Sequence, residues 1–125
     1  MALTVKLDQK IAGVHTVTPV GSLDTNTYSI LEKEIDSLLA TSPKMIIFDL
    51  EHLEYISSSG VSVVIKTRKL MKNHNGEVTL VNLQPQIEKV FEIIKALPGQ
   101  RIFKDVQELD RYLDSMQKKV IQGDS

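Results

Sequence analysis

The spacing of the apolar residues changes along this chain, and that change restricts the fold more than any single residue does. Leu3, Val5 and Leu7 alternate with Thr4, Lys6 and Asp8, the period of a half-buried strand. Gly13 follows the polar break Asp8-Gln9-Lys10, and Val14 to Val20 is rich in β-branched residues. The start therefore reads as a hairpin whose second strand closes at Pro19 and Gly21. From Tyr28 the spacing lengthens: Tyr28, Leu31, Ile35, Leu38 and Leu39 fall on one helical face, with Glu32, Lys33 and Asp36 between them. Asp24, Thr25 or Asn26 can cap that helix through a side-chain oxygen, and Ser42-Pro43 stops it. The apolar run from Met45 to Leu50 then suits a strand covered on both faces.

The same exchange of periods recurs downstream. Val78 to Leu83 reads as a strand. Ile87, Val90, Phe91 and Ile94 form a helical stripe, opened by Pro85 and closed by Pro98-Gly99. Ile102-Phe103 is at most a short strand. The last helix carries a capping box, Asp105 with Glu108, and a stripe of Val106, Leu109, Leu113 and Met116. The domain is expected over residues 1–120, with residues 121–125 as a frayed tail. One segment is ambiguous. Val61, Val63, Val64 and Ile65 favour a strand, whereas Ser62, Lys66, Lys69 and Asn73 form a polar stripe at helical spacing. With a helix there, the order is β-β-α-β-α-β-α-β-α, a single α/β domain with a mixed sheet.

Composition excludes several classes of function. Fifteen Lys and Arg against 16 Asp and Glu leave a net charge of −1, which argues against binding nucleic acid through its phosphates. No cysteine is present, so disulfides, thiolate metal sites and thiol chemistry are out. His15, His52 and His74 are scattered, no calcium-loop pattern occurs, and no metal is expected. The glycine loops that cradle phosphates are missing. No apolar run approaches the roughly 18 residues of a membrane span, and Met1 to Lys6 lacks the pattern of a signal peptide. A cytoplasmic location is the expectation.

Ile56-Ser57-Ser58-Ser59-Gly60-Val61 stands out. It can be a cap and a turn. It can hold a serine nucleophile, although glycine lies on one side only and no base accompanies it. It can also be a phosphorylation site at a helix start, where unpaired amides and the positive end of the dipole favour an anion.

At these residues the chain resembles the STAS family, and within it the anti-sigma factor antagonists. Gly21-Ser22-Leu23-Asp24 is similar to that family's G-x-[LI]-D before the first helix. Phe48 to Val61 is similar to its strand ending in D-L, followed by D-S-[SAT]-G-[LV]. The resemblance runs from about Thr4 to Met116. It implies a four- or five-stranded mixed sheet with about four helices mainly on one face, and it makes the ambiguous segment a helix starting near Ser59. It further implies a regulator with no catalytic residues and no cofactor of its own. The unphosphorylated protein would bind an anti-sigma factor that is also a serine kinase, releasing a sigma factor. That kinase would use ATP to phosphorylate Ser59, with Ser58 as second choice, and a PP2C-type phosphatase would reset the cycle.

Asp24, Ser57, Ser58, Gly60, Ser62, Lys66 and Lys69 are the expected partner-binding residues, forming one surface. Lys66, Arg68, Lys69 and Lys72 read either as a solvated basic helix face or as a surface complementary to an acidic partner. The chain departs from the family at Ser57, where Asp is usual; Ser57 can still accept a backbone hydrogen bond and cap the loop. The alternative is a STAS scaffold module in a transporter-associated or stress-sensing complex, binding without a phosphoswitch.

Overall fold

The structure, a computed structural model, describes residues 2–96 and 106–123. The chain order is β1 (Leu3–Ile11), β2 (Val14–Leu23), α1 (Tyr28–Leu39), β3 (Met45–Asp49), β4 (Leu53–Ile56), α2 (Ser58–Asn73), β5 (Glu77–Val81), α3 (Pro85–Ala96) and α4 (Val106–Ile121). The strands form one mixed sheet in the order β1-β2-β3-β5, with β4 also paired to β2. Strand β1 runs antiparallel to β2, and the other pairings are parallel. The α/β domain expected from the changes of period is therefore present, with four helices and five strands among the described residues.

Strand β2 is longer than its punctuation suggests. It passes through Pro19 and Gly21 and ends at Leu23. Its pairing with β3 ends at Val17↔Phe48, and its pairing with β4 begins at Gly21↔Leu53. Pro19, which has no N–H to donate, lies in the interval where β2 changes partners. Gly21 has φ +117°, and a Cβ there would collide with the Ala2 carbonyl oxygen, so only glycine fits.

The core lies against one face of the sheet. Val17, Ile46 and Phe48 are buried on it, together with Leu31 and Ile35 of α1, Val61, Val64 and Met71 of α2, Ile87 and Val90 of α3, and Leu113 of α4. Each of the larger side chains gains roughly 1.5–3 kcal/mol from its burial. Met45, Ile47 and Asp49 alternate with Ile46 and Phe48 and are only half-buried. The expectation of a strand covered on both faces is thus corrected: the helices cover one face, and the other stays partly open.

The ambiguous segment is helix α2, beginning at Ser58. Its β-branched residues serve packing there, with Val61, Val63, Val64 and Thr67 buried and Thr67 Oγ1 donating to the Val63 carbonyl at 2.7 Å. Strand β4, absent from the expected order, has four residues, too few for alternation to be visible. The first helix is capped at Thr27, not at residues 24–26, and Thr27 makes no side-chain cap bond. The expected strand at Ile102-Phe103, the stop at Pro98-Gly99 and Asp105 of the capping box lie outside the described residues.

Candidate functional site

The expected site lies where β2 and β4 end side by side. Leu23 pairs with Ile56, and the Ser57 N–H then donates to the Leu23 carbonyl at 2.9 Å, carrying the ladder one residue further. The turn at Asp24 and the run Ser57 to Gly60 are therefore neighbours. Gly60 sits in the fork, where a Cβ would come within 2.7 Å of Leu23 Cγ and 2.8 Å of Ile56 Cγ1. Glycine is required there for close approach.

Ser57 is the N-cap of α2. Its Oγ accepts from the Gly60 N–H at 3.4 Å, and its carbonyl accepts from the Val61 N–H at 3.0 Å. The capping role expected of Ser57 is thus present. Being 3% exposed with its hydroxyl engaged, Ser57 is not open to modification. Ser58 and Ser59, the first two residues of α2, are half-buried. The first turn of α2 has no acidic residue of its own. The Ser58 N–H instead donates to Asp110 Oδ1, from α4, at 2.9 Å.

Asp24 organises the turn that leads into α1. Its carboxylate accepts from the Asn26 N–H at 2.9 Å and the Thr27 N–H at 3.1 Å. Thr27 Oγ1 donates to the Ser22 carbonyl at 2.7 Å and accepts from the Asp24 N–H at 2.9 Å. Asp24 also lines a groove of about 440 Å³ between this turn, β4 and α4, with Glu54, Tyr55, Asp114 and Lys118 among its walls. The Tyr55 phenol is pushed from 10.0 up to about 12, first by burial and then by the carboxylates of Asp114, Asp110 and Asp24; it also hydrogen-bonds to Asp114. Three acidic side chains from two distant parts of the sequence thus surround one ring.

Ser62, Lys66 and Lys69 line a second groove of about 360 Å³, with Ile65 and Leu70 supplying its apolar surface. Lys66 also approaches Glu32 of α1, at 3.5 Å. Of the expected partner residues, Asp24 thus lines a mainly acidic groove and Ser62, Lys66 and Lys69 a basic one on α2, while Ser57, Ser58 and Gly60 line neither.

Residues on α3 and α4 complete the site, and the motifs gave no sign of them. Gln117 is fully buried: its Oε1 accepts from the Ile56 N–H at 3.0 Å, and its Nε2 donates to the Ile56 carbonyl at 2.8 Å and the Leu113 carbonyl at 3.1 Å. Gln86 Nε2 donates to the Glu54 carbonyl at 3.0 Å. Two side-chain amides thereby satisfy β4 backbone groups, as an edge strand requires. Asp110 to Ser58 spans 52 residues and Gln117 to Ile56 spans 61, separations over which no local pattern operates.

Among the described residues, no group of three or more His, Asp or Glu is placed to hold a metal, and no helix is long and apolar enough to cross a membrane.

Comparison with known proteins agrees with this architecture. The protein BtrV of Bordetella bronchiseptica, whose name assigns it to the anti-sigma factor antagonists, is 32% identical over 84 residues, covering 67% of this chain and 72% of its own. The solved structure of the anti-sigma factor antagonist SpoIIAA in its unphosphorylated form superposes with a TM-score of 0.68 at 22% identity, over 87% of this chain and 96% of that one. The Bacillus cell fate determinant SpoIIAA in its phosphorylated form gives 0.64 at 22% identity, over 87% and 99%. Residues 6–109 match the family described as the STAS domain. With the sheet order, the Ser57–Gly60 turn and this match in agreement, the chain belongs to the STAS domain family.

Proposed function

We propose that this protein is an anti-sigma factor antagonist: unphosphorylated, it binds an anti-sigma factor that is also a serine kinase and so releases a sigma factor. Phosphorylation at Ser59, with the neighbouring Ser58 as second choice, ends the binding. The observation that carries this reading is the start of α2, where Ser57 is consumed as the cap while Ser58 and Ser59 follow it, half-buried, beside the Asp24 turn. The name of the Bordetella relative supports the partner class.

The basic groove of Ser62, Lys66 and Lys69 suits an acidic surface on that partner. Phosphate adds about −1.5 to −2 charges next to it. If the repulsion and desolvation cost the complex about 4 kcal/mol, affinity falls roughly a thousandfold, enough for a switch without refolding. The protein itself supplies no catalytic group in this scheme; the kinase brings ATP, and a PP2C-type phosphatase removes the phosphate.

The test is peptide mapping by mass spectrometry after incubation with ATP and an anti-sigma factor kinase of the same organism, followed by titration of that kinase with Ser59→Ala and Ser59→Asp. A single phosphate at Ser59 or Ser58, with tight binding by the Ala variant and weak binding by the Asp variant, is expected. No phosphate from a kinase active on another substrate, together with equal affinities, overturns the switch and leaves the constitutive scaffold reading.

A further inference from the structure

We infer that Asp110 is a charge latch through which helix α4 senses phosphate on the α2 turn; this rests on the phosphoswitch proposed above. The first turn of α2 contains no acidic residue, and its start is the positive end of a 16-residue helix. The anion that meets it is the Asp110 carboxylate, at 2.9 Å from the Ser58 nitrogen. Asp110 thus joins α4 to the residues that would carry the phosphate.

A phosphoryl group on Ser58 or Ser59 competes for the same place. It brings about two negative charges and three acceptor oxygens to a helix start whose donors and dipole already serve Asp110. The two anions also repel each other across a partly buried gap, where screening by water is weak. Asp114 and Asp24 add further negative charge around Tyr55, and the cation on that side, Lys118, is already paired with Asp114 at 3.1 Å. The outcome is release of Asp110 from Ser58 and loosening of α4.

Loosening has a defined consequence. Asp114, Gln117, Lys118 and Ile121 of α4 form one wall of the groove beside Asp24, so its shape changes when α4 shifts. Phosphate would then act on a partner in two ways, by its charge and by remodelling the acidic groove. Leu113 and Gln117, both fully buried, keep α4 attached to the sheet and limit the change to loosening.

The experiment is hydrogen exchange with mass spectrometry on the full chain carrying phosphoserine at position 59, and separately at 58, installed during translation so that no kinase is needed. Amides of α4 should exchange at least tenfold faster than in the unmodified protein, with β1, β2 and β3 unchanged. Asp110→Asn keeps an acceptor oxygen for the Ser58 N–H but removes the charge, and should abolish this phosphate-dependent difference; Asp110→Ser provides a second neutral variant. Equal α4 exchange with and without phosphate at both positions overturns the latch. So does a phosphate effect that persists undiminished in both neutral variants, since a purely structural Asp110 would alter both forms alike. Because the phosphate is installed without a partner, this result is independent of whether a kinase recognises the protein.

Discussion

Replacing Gln117 with methionine removes three hydrogen bonds while nearly conserving side-chain volume. Two of them, at 3.0 and 2.8 Å, are those that the side chain makes to the Ile56 N–H and carbonyl. Each backbone group left buried without a partner costs about 1–3 kcal/mol. The Leu113 carbonyl, which keeps its helical partner, adds little. Burying a thioether where an amide had been returns about 1 kcal/mol, so the net loss is about 3 kcal/mol. Against a total stability of roughly 5–15 kcal/mol, that is a large fraction. In urea, with a slope near 2 kcal/mol per molar, the unfolding midpoint should fall by about 1.5 M with the slope unchanged. The melting temperature should fall by about 10 °C. Exchange at the Ile56 amide should accelerate beyond the global change. A loss below about 1 kcal/mol would refute the reasoning, since it would mean that the β4 edge finds water or another donor when the amide is gone.

Other consequences are separable from that one. Gly60→Ala gains about 1 kcal/mol of helix propensity but forces a Cβ to 2.7 Å from Leu23 Cγ, so a net loss of about 1–2 kcal/mol is expected in denaturation; a variant as stable as the parent would contradict the fork geometry. Lys66→Ala combined with Lys69→Ala should change stability by less than about 0.5 kcal/mol, because the Lys66–Glu32 pair is exposed. It should nevertheless weaken the partner by about tenfold and flatten the salt dependence of binding; unchanged affinity removes the α2 groove from the interface. Tyr55 can be isolated as the difference in tyrosinate absorbance between the parent and Tyr55→Phe, with its midpoint at about 12; a midpoint at 10.0 would show that the ring is not held by burial and the three carboxylates. The folded protein retains that proton past the pH at which the unfolded chain releases it. Its contribution to stability is therefore whole below about pH 10 and is lost as pH rises towards 12.

Several parts of this protein are legible in local pattern. The spacing of Leu31, Ile35 and Leu38 encodes α1, the alternation of Leu3, Val5 and Leu7 encodes β1, and Pro85 opens α3 where proline is tolerated. The cap at Ser57 was also legible, since an N-cap needs only an oxygen three residues ahead of the amide it serves. Position 60 shows glycine, but the reason for it, contact with Leu23 across the end of the sheet, is tertiary. Pro19 and Gly21 misled, because both punctuate isolated strands, whereas here they mark the change of partner from β3 to β4 and the contact with Ala2.

What only the tertiary structure decided is the setting of the serine turn. Asp110, Asp114 and Gln117 look like the polar face of a solvated helix, and nothing in their spacing distinguishes a carboxylate that caps a distant helix from one that meets water. They reach Ser58, Tyr55 and Ile56 because α4 packs back across the end of β4, bringing together residues more than 50 positions apart. Helical and strand periods follow from neighbours along the chain and are written in it directly. Charge placed against a helix start depends on how the elements pack, and so it appears only once the chain has folded.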